Sequence, residues 1–192
     1  MHTDDGLRAR LVRIGGELVD RAGPSAVSLR EIARCAGVSH GAPRRYFPTH
    51  LELLSAIARE GYADLAAMAD AALSQAPGDP RTRLSVLVRA YLDFAITRPG
   101  RYELMFRHDL LASGHLRLRD ASLPLFQLLT ELVAQARPNL EPSAQVVAGA
   151  LWANLHGIAQ LWQWGSLPLA TGATDPDALL DTALTAHLGP AT

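Results

Sequence analysis

Between Ser28 and Leu54 the chain reads SLREIARCAGVSHGAPRRYFPTHLELL, and this stretch restricts the fold more than any other. Ser28 with Glu31 three residues on is a capping box, able to satisfy the first orphan amides of a helix. Leu29, Ile32, Ala33 and Ala36 then give that helix an apolar stripe, and Gly37 ends it. Cys35 falls beside the stripe and is expected to be a buried structural thiol. Ser39 is placed to cap a second helix of two turns, His40 to Tyr46, with Pro43 tolerable if it lies in the first turn. Two short helices around a glycine turn, with Arg44 and Arg45 on the second, make the pattern of a helix-turn-helix whose second helix enters the major groove. Ordinary helical bundles also contain such pairs, so a bundle without DNA affinity stays open as an alternative.

The rest of the chain supports an all-α fold of about nine helices. A first helix runs from about Asp5 to Ala22, with Leu7, Leu11, Ile14 and Leu18 on one face, and Gly23-Pro24 ends it. A small head core is expected from Leu11, Ile14, Leu18, Ile32, Val38 and Phe47. Thr49 and Glu52 repeat the capping box and open a long helix that ends near Ala76-Pro77-Gly78. Asp79-Pro80 opens another, RYELMF after Pro99-Gly100 forms a short one, and His108 to Gly114 reads as a loop. A helix over His115 to Ala136 carries Pro124, which is expected to kink it or mark its true first turn. After ARPNLEP come an apolar helix from Pro142 to about Gly165, the loop SLPLATGAT, and a last helix opened by Asp175-Pro176-Asp177 and closed by Gly189-Pro190. The expected division is a head of residues 1–50 and a body of residues 51–192.

Net charge over the 192 residues is only -1, but it is unevenly divided. Residues 1–60 hold 9 Arg against 7 acidic residues, while residues 61–192 hold 9 Arg against 12, so the slight basic excess lies in the head. All 18 basic residues are Arg, the side chain suited to bidentate contacts with phosphate or guanine. A single cysteine leaves no intrachain disulfide and no cysteine-built metal site. No HExxH, GxSxG, GxGxxG or P-loop pattern occurs, and His156 lacks Cys, Asp or His at ligand spacing on its helix. No catalytic residue, metal or cofactor is therefore expected, and a small helical enzyme ranks behind the binding functions. No basic leader precedes an apolar run, and no apolar stretch approaches membrane-spanning length, so no membrane association and a cytoplasmic location are expected.

The run Ile32-Ala33, Ala36-Gly37-Val38-Ser39, Gly41, Phe47 and Leu51 to Leu54 resembles the N-terminal DNA-binding domain of the TetR family of transcriptional regulators. The family often has lysine where His40 and His50 stand, and an aromatic where Arg44 stands, the tyrosine having moved to Tyr46. Trp152, His156 and Gly157, preceded by PGRYELMF, resemble a tetracycline-repressor-type C-terminal domain of the Trp-His-Gly (WHG) kind. The resemblance implies a helical-bundle body for ligand binding and dimerisation, and a homodimeric regulator, a repressor of a palindromic double-stranded DNA operator. It places Ser28, Arg30, Ser39, His40, Gly41, Ala42, Arg44, Arg45, Tyr46 and His50 at the DNA. Tyr91, Phe94, Met105, Phe106, Trp152, His156 and Gln160 would surround an organic small-molecule effector. Val147, Leu151, Leu155, Leu180 and Leu184 would join two copies through the last two long helices. The runner-up is a helical small-molecule-binding or scaffold protein without DNA binding.

Overall fold

A computed structural model describes residues 2–76, 78–138 and 141–190, so Pro77 and the centre of the ARPNLEP break lie outside the described residues. Among those described are ten α-helices: α1 (His2–Ala22), α2 (Leu29–Ala36), α3 (His50–Ser74), α4 (Pro80–Thr97), α5 (Pro99–Met105), α6 (His108–Ala112), α7 (Leu118–Ala136), α8 (Ala144–Gln163), α9 (Ser166–Thr171) and α10 (Asp177–Leu188). Single 3-10 turns occupy Pro24–Ala26, Pro43–Arg45 and His115–Arg117.

Local chemistry accounts for most of these boundaries. Ser28 accepts from the Glu31 amide at 3.1 Å, Thr49 from the Glu52 amide at 3.2 Å, and Asp79 from the Thr82 amide at 2.8 Å. Each side-chain oxygen thus takes an N–H that a helix start leaves unpaired. Gly37 ends α2 at φ 64°, in the left-handed region that an L side chain enters only with strain. Two expectations fail, and a third fails in one of its two forms. His40 to Tyr46 is not an α-helix: Pro43 has no amide to close an i to i−4 bond, and the segment closes by Ala42 N to Ser39 O (2.9 Å), Arg45 N to Ala42 O (3.2 Å) and Tyr46 N to Pro43 O (3.0 Å) instead. The expected loops at His108 to Gly114 and SLPLATGAT contain the short helices α6 and α9. Pro124 lies inside α7, at its seventh residue, so of the two roles expected for it the first-turn one does not hold.

The chain divides into two compact units, each assembled from separated segments: Met1–Asp64 with Arg98–Ser122, and Leu65–Thr97 with Leu123–Thr192. This division by packing differs from the functional cut expected at residue 50. In the first unit Leu11, Ile14, Leu18, Ile32 and Phe47 are buried together with Leu53, Leu54 and Ile57, with Val38 partly buried against them. Leu104, Leu110 and Leu118 complete the same core. These come from α5, α6 and the start of α7, a contribution that linear order hides. In the second unit α4, α8 and α10 pack on one another, burying Leu84, Val88, Phe94, Leu151, Leu155, Leu180 and Leu184.

Candidate nucleic-acid interface

The segment that follows Gly37 is presented by its neighbours, because it has few internal backbone bonds of its own. Val38 N returns to Ala33 O (3.1 Å) and Gly37 N to Arg34 O (3.2 Å), which closes α2 and turns the chain sharply. Arg10 of α1 donates from Nη2 to Ala36 O at 2.6 Å. At the far end Phe47 is buried, with the Arg8 guanidinium 5.4 Å from its ring centroid, a cation-π contact. His50 Nε2 lies 2.8 Å from Val27 O and ties the start of α3 to the entry of α2.

Ser28, Arg30, Ser39, His40, Gly41, Arg44, Arg45 and His50 are exposed, while Ala42 and Tyr46 are half-buried. Two of these already have structural work: the Ser28 hydroxyl caps α2, and one His50 ring nitrogen is at Val27 O. Among the described residues, Arg30, Arg44 and Arg45 enter none of the ion pairs. Arg34 is different, for it donates to Glu31 from Nε (2.9 Å) and Nη2 (2.6 Å) and holds the Glu31 carboxyl down to about 2. Arg30, Arg44 and Arg45, on and beside the turn, are therefore among the arginines available to meet an external anion. Cys35 is exposed, with Sγ 3.5 Å from Glu31 Oε1, contrary to the buried thiol expected. Ile32, Ala33 and Ala36 define the inward face of α2, and Cys35 is rotated about 100° from Ala36. Arg8 and Arg10 are the functional candidates that the sequence did not reveal, since nothing in their spacing says that they reach Phe47 and Ala36.

The residues expected around an effector fall into both units. Tyr91, Phe94, Trp152, His156 and Gln160 belong to the second. Tyr91 Oη is 3.1 Å from His156 Nδ1, the Trp152 and His156 rings meet edge to face at 6.3 Å, and Phe126 meets Trp152 at 6.0 Å. Burial pushes the His156 imidazole below the ordinary histidine value. Met105 and Phe106 belong to the first unit, where Tyr62 donates to Met105 O at 2.7 Å and the Phe106 ring packs against Tyr62 and Tyr102. Val147, Leu151, Leu155, Leu180 and Leu184 are all buried within the second unit itself. The outward strip of α8 is carried by Val146, Ala150, Ala153 and Leu161, and that of α10 by Ala178, Thr182, Thr185 and Ala186. An open depression lies on α10 along Asp181, Thr182, Thr185 and Ala186.

A short helix, a glycine turn and a 3-10 segment with exposed, unpaired arginines, borne on helices, make a helix-turn-helix-like head accompanied by a further all-α portion. Residues 84–187 match the domain family described as "Tetracyclin repressor-like, C-terminal domain". The chain belongs to the TetR family of transcriptional regulators. It is 31% identical over 101 residues to the HTH-type transcriptional regulator Rv1816 of Mycobacterium tuberculosis (strain ATCC 25618 / H37Rv), a match covering 52% of this chain and 43% of that protein. The chain thus spans less than half the length of the curated relatives it matches. Among solved structures it is similar to a protein with unknown function from Rhodococcus sp. RHA1 (TM-score 0.81, 29% identity, 95% of this chain and 93% of that one). A TetR-family transcriptional regulator from Streptomyces coelicolor shares the fold at a TM-score of 0.70 and 22% identity, over 95% of this chain and 79% of that one. Among the described residues no helix is long and apolar enough to cross a membrane, and no group of His, Cys, Asp and Glu is placed to hold a metal ion.

Proposed function

We propose that this chain is a ligand-responsive, DNA-binding transcriptional repressor that acts as a homodimer on a palindromic operator. The observation that carries the reading is the set of exposed, unpaired arginines Arg30, Arg44 and Arg45 around the turn that Gly37 creates. In this reading Ser39, His40, Gly41 and Tyr46 join them at the groove, and Arg44 or Arg45 reads a guanine edge while the others meet phosphate. Two copies associate through the outward strips of α8 and α10, where small residues permit close approach and two-fold symmetry matches two half-sites. An organic, largely apolar effector binds near Tyr91, Trp152 and His156, whose rings offer a broad apolar wall and a few polar atoms to direct it. Helix α3 runs from His50 to Ser74 and is in this reading the element that carries the response. A coupling of about 1 to 3 kcal/mol between effector and DNA would change operator affinity roughly 5 to 150-fold.

The test is selection of duplexes from a random pool, followed by titration of Arg44→Ala and Arg45→Ala at several salt concentrations. Loss of a base-reading arginine costs about 1 to 3 kcal/mol and relaxes specificity, whereas loss of a phosphate contact weakens all sequences and lowers the salt slope by about 1. Unchanged affinity in both variants overturns the assignment. Failure to select any duplex favours a ligand-binding protein without DNA affinity.

A further inference from the structure

We infer that Arg10, seconded by Arg8, is a positioning residue that fixes the geometry of the recognition segment from behind and does not contact DNA phosphate. The inference rests on the DNA-binding reading above and adds residues that reading does not use. Segment 37–46 contains one 3-10 turn and scattered i to i+3 bonds, so it lacks the repeated hydrogen bonds by which an α-helix holds its own shape. Beyond the burial of Pro43 and the packing of Val38 and Tyr46 on the core, its shape depends on how its two ends are held. At the leading end the last carbonyl of α2, Ala36 O, has no partner within the helix, because a helix leaves its final carbonyls unpaired. Arg10 donates to that oxygen at 2.6 Å across 26 residues of sequence, and its charge also opposes the negative end of the α2 dipole. At the trailing end the Arg8 guanidinium covers the ring of Phe47, the buried residue with which the segment re-enters the core. One helix therefore grips both boundaries of the loop-like element that Arg44 and Arg45 occupy. Each guanidinium has a partner within the protein, Ala36 O for Arg10 and the Phe47 ring for Arg8, in contrast to the unpaired ones of Arg44 and Arg45.

The experiment uses the full chain with Arg10→Met, which keeps the apolar stem and deletes the donor, alongside Arg10→Lys and Arg8→Met. Two readouts are taken at a temperature where circular dichroism shows each protein folded. The first is affinity for the tightest duplex that the wild type selects from a random pool, measured across a salt series. The second is amide exchange of residues 37–47 without DNA. Arg10→Met should lose about ten-fold in affinity with an unchanged salt slope, and its segment amides should exchange faster while those of α1 and α3 do not. Arg10→Lys, which keeps a cationic donor, should recover part of both. A salt slope lowered by about 1 in Arg10→Met would mark a phosphate contact and overturn the inference. So would wild-type exchange rates across residues 37–47. Wild-type protein that binds no duplex would remove the DNA reading, and amide exchange would still test the clamp. Should Arg10→Met fail to fold, Arg8→Met and Arg10→Lys decide between the same outcomes by the same two measurements.

Discussion

Glu60 presents the least settled charge in the first unit. One carboxylate oxygen is buried with no hydrogen-bond partner, and burial is the main cause that pushes the group above the ordinary carboxylate value. Asp64 on the same helix and Glu17 on α1 push it further, while Arg101 of α5 and Arg13 of α1 pull it down. A carboxyl raised on folding favours the protonated folded state, so its stability contribution is full below the unfolded value near 4.5 and is lost as pH rises through the folded one. Glu60→Gln should therefore melt above the wild type at pH 7 to 8, by a few degrees at most because the group is half-buried, with the gap closing toward pH 4 in thermal scans. His156 runs the other way. Its value is lowered by burial, so its contribution is present above about 6.5 and lost as pH falls through the depressed value. A proton NMR titration of His156 should show a midpoint below 6.5, and Tyr91→Phe, which removes the Nδ1 partner, should cost about 0.5 to 1.5 kcal/mol in denaturant unfolding.

Helix α5 docks on α1 at two glycines, and the docking is unusually intolerant of added atoms. A Cβ at Gly100 would strike the Val19 carbonyl oxygen, a backbone atom that cannot swing aside. A Cβ at Gly16 would meet the Arg101 guanidinium, 2.7 Å from Nη2. That guanidinium is almost fully buried, pairs with Asp64, and has Nε 2.9 Å from Asp20 Oδ2 but poorly aligned for a hydrogen bond. Arg98 pairs with Asp64 as well, and the Arg101 amide donates to Asp20 Oδ1 at 3.3 Å. Gly100→Ala should destabilise the protein by about 1 to 3 kcal/mol in urea unfolding, the usual range for overpacking. Gly157→Ala makes the contrast, since nothing lies within 4 Å of the added atom and removing a helical glycine should stabilise α8 by about 0.5 to 1 kcal/mol. Elements governed by local chemistry are legible from sequence: the Ser28, Thr49 and Asp79 caps, the Gly37 stop, and the long helices of the body. The recognition segment reads as an α-helix in sequence because its arginines and flanking signals outweigh the missing Pro43 amide. Helix α6 escapes a sequence reading because its five residues owe their form to burial of Leu110, a tertiary effect that no local pattern announces. For the candidate site, the exposed arginines are legible as residue type and position, whereas the Arg10 and Arg8 contacts span 26 and 39 positions and leave no periodic trace.

The whole molecule is expected to be a dimer before it meets DNA, and light scattering at micromolar concentration should report twice the chain mass of 20.6 kDa. Val146→Glu, on an outward position of α8 that is 57% exposed in the single chain, should leave folding intact and shift that mass toward one chain. A monomer in the wild type, still binding one half-site tightly, would refute the dimer. If Gly157 faces a second copy, Gly157→Ala should weaken association even as it stabilises α8, so mass and melting should move in opposite directions. The interleaving of the two units carries a further consequence, for the way the chain is made. The first unit's core closes only when Leu104, Leu110 and Leu118 arrive to join Leu11, Ile32 and Phe47. At about 5 to 20 residues per second, adding residues 65–118 takes roughly 3 to 11 s after Asp64 has been joined to the chain. Throughout that interval the nascent head carries an apolar face that its own later segments must cover, and slowed synthesis across residues 65–118 should lengthen its exposure to chaperones and proteases.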